Sequence, residues 1–202
     1  MIDRHDWINA GLRAMRSGGI EAVAIEPLAR DLNVTRGSFY WHFRDRNELL
    51  GELLRIWEVE TDELIALASE AIHPLGCVLR FFDIVATNRN QIPDSEFFAW
   101  ARREAKVAKT AFVIEAKHEA FICAQLVKAG VGKGEAARRA EAGYLATLGW
   151  IERATRNKQH DGSEEFRAFA NQLFRFLFAG VREQRWATTR GRRALMRNGT
   201  HA

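Results

Sequence analysis

Four consecutive residues, Thr35, Arg36, Gly37 and Ser38, put a hydroxyl, a guanidinium and a bare backbone into what reads as the first turn of a helix. A helix start carries free backbone N–H groups and the positive end of the peptide dipoles, so it attracts phosphate. Arg36 can reach a guanine edge or a phosphate from there, and Gly37 lets the backbone come close to a duplex. Ser38 stands at the third helical position, where a capping box would carry Glu or Gln, so no carboxylate is placed there to repel DNA. Tyr40, Trp41 and His42 follow within one turn and cannot all face a core. A phenol and an imidazole are suitable phosphate donors.

The elements that hold this stretch are legible from local signals. Leu28, Ala29 and Leu32 recur on one helical face, Asn33 accepts the left-handed conformation that ends a helix, and Val34 plugs the corner. Thr35 is placed to cap a second short helix, Arg36 to Phe43, with Phe39 and Phe43 on its apolar side. Two short helices around a tight turn read as a helix-turn-helix. Upstream, Asp3 can cap a first helix whose apolar face is Ile8, Leu12 and Met15 and which Gly18-Gly19 ends. Downstream, Asp45 and Glu48 have capping-box spacing for a long helix running to about Ile72, with Leu49, Leu50, Leu53, Leu54, Trp57, Leu64, Ile65 and Ala68 on its buried side.

The string Val34-Thr-Arg-Gly-Ser-Phe-Tyr-Trp-His-Phe43 resembles the recognition helix of the TetR family of bacterial transcriptional regulators. Arg44-Asp-Arg-Asn-Glu-Leu-Leu50 resembles the start of that family's fourth helix. The resemblance covers roughly the first fifty residues, and its motif is specific in order and offset. It implies that Thr35, Arg36 and Gly37 approach bases while Tyr40, His42 and Arg46 hold phosphates. One departure stands out: Ala24 sits where the family usually has a Ser or Thr cap, with Pro27 in the first turn that follows.

Charge does not carry the DNA reading. The chain has 202 residues and a pI of about 9.4, but residues 1–50 hold seven Lys/Arg and seven Asp/Glu. The excess lies in residues 182–202, with six Arg and one Glu. The relevant observation is placement, with Arg36, Arg44 and Arg46 gathered at the second short helix. No apolar run reaches membrane length and no signal peptide opens the chain, so a cytoplasmic location is expected, with no membrane partner. Cys77 and Cys123 read as free thiols in apolar surroundings.

The rest of the chain predicts an all-α body. Helices are expected over Leu75 to Thr87, from Phe97 to about Ala108, over Thr110 to Ala129, over Glu135 to Arg156 and over Ser163 to Trp186, with His73-Pro74 and Gly130 to Gly134 as stops. The division is 1–48 for an N-terminal three-helix DNA-binding head, 49–186 for a ligand-binding and dimerisation body joined by the long helix, and 187–202 for a basic tail without apolar periodicity. The last two helices carry more large apolar side chains than one buried face needs, among them Tyr144, Leu148, Ile151, Phe166, Phe169, Leu173 and Leu177. Such an excess points to a partner subunit, and the resemblance implies a four-helix bundle with a second copy. Trp57, Phe82, Phe97, Trp100 and Phe112 lie on the middle helices with Glu115 and His118; together they would line a cavity for an apolar or aromatic effector.

The expectation is a homodimeric, ligand-responsive regulator, most simply a repressor, on a near-palindromic double-stranded DNA site, with no cofactor and no catalysis. The alternatives are a helical-bundle metalloenzyme, since Glu70/His73 and Glu115/His118 are Glu-x-x-His pairs, and a protein of the same fold that acts through protein partners alone. His73 precedes Pro74 at a helix end, and the intact Thr35-Arg36-Gly37 start favours DNA.

Overall fold

The computed structural model of the chain describes residues 2–88, 93–157 and 163–181. Among these residues every regular element is a helix: α1 Arg4–Ala22, α2 Ile25–Asp31, α3 Arg36–Phe39, α4 Arg46–Ser69, α5 Pro74–Asn88, α6 Asp94–Ala101, α7 Ala105–Lys128, α8 Lys133–Asn157 and α9 Ser163–Leu177. No helix among the described residues is long and apolar enough to cross a membrane.

Two of the three expected side-chain caps form, at α1 and α4, and the third, Thr35, does not. The Asp3 side chain accepts from the Asp6 N–H and the Asp6 side chain accepts from the Asp3 N–H, a reciprocal box that opens α1. Asp45 accepts from the Glu48 N–H at 2.9 Å and opens α4. Glu48 reaches back one residue further than a box would, to the Arg44 N–H at 2.8 Å. Asn33 has φ 53°, the left-handed turn between α2 and α3.

Other boundaries differ from expectation. Gly18-Gly19 kinks α1 without ending it, with Gly19 at φ 70°, and one more turn follows to Ala22. The third helix stops at Phe39, and Tyr40 to His42 form turns. A single helix was expected from Phe97 to about Ala108; instead α6 ends at Ala101 and α7 begins at Ala105. The Arg103 and Glu104 N–H groups close onto the Trp100 carbonyl, and Glu104 is extended, so the chain turns a corner there. The last helix ends at Leu177, where Arg139 donates to the carbonyls of Leu177 and Ala179 at 2.9 and 2.8 Å. The basic tail lies outside the described residues.

Two cores result. The first begins in the head with Trp7, Met15, Leu28, Phe39 and Phe43, runs along α4 through Leu49, Leu53 and Trp57, and continues into Phe97, Val107 and Ile114 of the body. The position between residues 48 and 49 therefore falls inside α4 and inside one continuous core. Gly11 lets α1 and α4 close up, since a Cβ there would lie 3.3 Å from both Leu53 methyls. The second core joins the end of α4 to α5, α7, α8 and α9 through Val78, Phe82, Phe121, Ile122, Trp150 and Phe166. Cys77 and Cys123 are free, the first buried and the second half-buried.

Candidate nucleic-acid interface

The head is a rigid mount for a short exposed segment. Phe39 is fully buried, edge-on to Trp7 at 5.2 Å and stacked on Phe43 at 5.3 Å, which pins α3 from beneath. Arg4 secures the far end: its guanidinium lies 4.1 Å over the Phe43 ring, donates to the His42 carbonyl, and pairs with Glu48 at 3.0 Å and Glu52 at 3.3 Å. No local pattern signals this role of Arg4, because all its partners are distant in the chain.

On this mount Thr35, Arg36, Gly37, Tyr40 and Trp41 are exposed, while Ser38 and His42 are half-buried. Trp41 is 88% exposed, an indole with nearly all its surface in water. Thr35 occupies the N-cap position, but its side chain makes no capping hydrogen bond, so the α3 N–H groups are not closed off by the hydroxyl. Arg36 is steadied by Glu26 at 3.2 Å and donates to the Tyr40 hydroxyl at 3.4 Å. Gly37 has open space on the protein side. A Cβ there would meet only Thr35 Oγ1, at an ordinary 3.6 Å.

Arg46 was expected at a phosphate, and its guanidinium has a different setting. It is half-buried, donating to the Val23 carbonyl at 2.5 Å and the Ile20 carbonyl at 2.6 Å. Both carbonyls lie at the end of α1, where helix carbonyls run out of intrahelical partners; the Ile20 carbonyl also accepts from the Val23 N–H at 3.3 Å. The residue thus ties α4 to α1.

The expected effector residues divide. Trp57 stacks on Phe97 at 4.7 Å and donates its indole N–H to Asp94 at 2.6 Å; both rings are buried and join the head to the body. Phe82 is buried in the second core. Trp100 is half-buried and packs against the first core. These side chains pack in the two cores and are not among the residues that line the cavity between α6, α7 and α8. Phe112 and Glu115 do line one: a cavity of about 470 Å³ between α6, α7 and α8, with Phe98, Ala101, Ala111 and Leu148 among its other walls. His118 lies one turn beyond Glu115, its ring 5.3 Å from Phe81 and 5.7 Å from Tyr144. Its Nε2 is buried with no hydrogen-bond partner. Burial, and then the charge of Lys117, pull its pKa down to about 4, so the ring is neutral at pH 7. Burial pushes the Tyr144 phenol up, helped by the carboxylates of Glu115, Asp94 and Glu119.

The residues expected at a dimer interface pack within the chain or line the cavity. Tyr144, Phe166, Leu173 and Leu177 are buried within the one chain, and Ile151 and Phe169 pack half-buried against the same core. They hold α8 and α9 to their own body. Leu148 faces the cavity. A different face is left open: Ala142, Leu145, Ala146 and Gly149 recur at i, i+3, i+4 and i+7 on α8, and Phe176 on α9 is 54% exposed. Neither Glu-x-x-His pair belongs to a group of three or more His, Cys, Asp or Glu that could hold a metal, among the described residues.

A short helix at a tight turn, open at its N-terminus and mounted on a three-helical head, defines a helix-turn-helix protein with an all-helical body. Residues 8–53 match the model of the bacterial regulatory proteins of the TetR family. It is 38% identical over 78 residues to the HTH-type transcriptional regulator TtgR of Pseudomonas putida, and 31% identical over 61 residues to AcrR of Shigella flexneri. The first match spans 37% of either chain and the second 30% of this one and 28% of AcrR, so the chain matches little more than a third of TtgR and less than a third of AcrR. The fold extends further. A transcriptional regulator from Rhodococcus matches with a TM-score of 0.71 at 17% identity, over 89% of this chain and 98% of that one. The regulator FadR from Bacillus subtilis, solved in complex with stearoyl-CoA, matches with a TM-score of 0.61 at 14% identity, over 88% and 99%.

Proposed function

We propose that the chain is a homodimeric transcriptional repressor of the cytoplasm, released from a near-palindromic DNA site by a small molecule. The observation that carries the reading is the segment Thr35 to Trp41. It holds an uncapped helix start, an arginine, a glycine open to solvent and two exposed aromatics, all on a rigid mount. In this reading Arg36 takes a base edge, the Gly37 backbone approaches a phosphate, and Tyr40 and His42 donate to the sugar-phosphate strand.

The second copy docks on the exposed face of α8 and α9, at Leu145 and Phe176. Two recognition segments then sit about one DNA turn apart, roughly 34–36 Å. The effector acts through α6. One side of this helix places Phe97 in the core shared with the head, while Phe98 and Ala101 line the cavity. Beyond its end Arg103 pairs with Glu21 of α1. A ligand that fits the cavity better when α6 has shifted thereby favours a different head position, since only differential affinity moves an equilibrium.

Selection of bound sequences from random duplexes with the purified full chain tests the reading. An enriched near-palindrome is expected. No enrichment at low salt, where phosphate contacts are strongest, would overturn it.

A further inference from the structure

The cavity between α6, α7 and α8 has the size of a site for a drug-sized molecule, at about 470 Å³. Ala101, Ala111, Leu148 and Ile151 make its walls apolar, and Phe98 and Phe112 add aromatic surface. Phe112 is 70% exposed, an unusual expenditure of apolar area unless something covers it. The charges are not balanced. Glu115 and Glu152 line the cavity against Arg102, and the arginine stands exposed at the end of α6.

Glu115 is the distinctive group. It is half-buried and has no hydrogen bond or ion pair among the described residues, whereas nearby carboxylates are occupied: Asp94 by Trp57, Glu58 by Thr110 and Asp62 by Lys117. Glu119 lies one turn on along the same helix, a like charge at i+4, and both the burial and that neighbour raise the Glu115 pKa. Lys117, between them in sequence, is held by Asp62 at 2.6 Å. A half-buried carboxylate beside a second one, with no cation of its own, favours a ligand that brings one.

We propose that this cavity takes a small organic cation with an aromatic or branched apolar body, its charge against Glu115 and its rings against Phe98 and Phe112. The proposal rests on the reading of the chain as an effector-responsive regulator and names the chemical class of the effector. The aromatic rings assist, because their faces attract cations. An anion of the same shape meets two carboxylates and is rejected.

Three probes of similar shape and different charge test it: tetraphenylphosphonium, neutral triphenylphosphine oxide and anionic tetraphenylborate, titrated calorimetrically into the full chain without DNA. The wild type is expected to bind the phosphonium at least roughly tenfold more tightly than the oxide, the scale of one charge-assisted contact, and the borate more weakly than either. Glu115→Gln should bind the phosphonium no better than the oxide. Ala108→Trp, which fills the cavity, should abolish binding of both. A charge-blind ranking, a preference for the borate, or a phosphonium preference that survives Glu115→Gln would each overturn the proposal. Failure of all three probes to bind, as expected if a second copy covers the cavity, overturns it too. Operator selection reads the regulator separately: enrichment with charge-blind binding removes only the cation, and charge-ranked binding without enrichment removes only the regulator.

Discussion

Replacing Gly37 by alanine separates what the protein needs at that position from what DNA needs. Within the chain the added methyl meets nothing closer than Thr35 Oγ1 at 3.6 Å, and the position lies in the first turn of α3. Alanine there should stabilise the fold, because glycine in a helix is less favourable by about 0.5–1 kcal/mol. For a chain of this size that corresponds to a melting temperature higher by about 1–4 °C. Against DNA the same methyl stands between the backbone and the duplex. Loss of a backbone N–H bond to a charged phosphate removes about 1.5–3 kcal/mol, so operator affinity should fall by roughly tenfold or more. Thermal unfolding and fluorescence anisotropy on the selected operator give the two numbers. A variant that melts higher and binds as well as the wild type would refute the close approach. One that melts lower would show that the protein itself requires glycine.

Arg46→Ala should cost about 1–3 kcal/mol of stability, from two donors lost to the Ile20 and Val23 carbonyls; an unchanged melting temperature with weaker binding to all DNA would instead assign the residue to a phosphate. His118, whose pKa is depressed to about 4, resists protonation in the fold and accepts it in the unfolded chain near 6.5. Its contribution is therefore complete above pH 6.5 and lost as pH falls towards 4, on the order of 3 kcal/mol. The difference between wild-type and His118→Phe stability curves should show that slope within this window, and a flat difference would refute the buried setting. Leu145→Arg, on the open face of α8, should give a monomer by sedimentation, and a persistent dimer would place the interface elsewhere.

The head could be read from the sequence because its signals are local. A capping carboxylate at Asp3 or Asp45 and a left-handed Asn33 are each decided by a few neighbouring residues. The body was harder, for three physical reasons. The corner after Ala101 has no glycine or proline, and the apolar positions continue across it, so periodicity reads one helix where there are two. Large aromatics attract attention as ligand contacts, but Trp57, Phe82 and Phe97 are large enough to fill the space between helices. The cavity lies where Ala101, Ala108 and Ala111 leave room. The apolar stripes of α8 and α9 mark the face that packs on the chain itself, while the open face is small and mixed, with Ala142, Ala146 and Gly149 around Leu145. Arg46 completes the pattern, since its carbonyl partners at the end of α1 lie more than twenty residues away in the chain.

The unbroken core along α4 bears on modular engineering. Regulators of this architecture invite chimeras, with the reader of one chain fitted to the sensor of another, and the start of α4 is a natural splice. Here such a cut would leave Trp7, Met15 and Phe39 from one parent packed in one core with Leu49, Leu53 and Phe97 from another. Overpacked or hollow contacts of that kind cost about 1–5 kcal/mol each. A hybrid that must stay folded therefore has to carry the matching surfaces of α4 and α6 along with the head. The transferable unit is discontinuous in sequence.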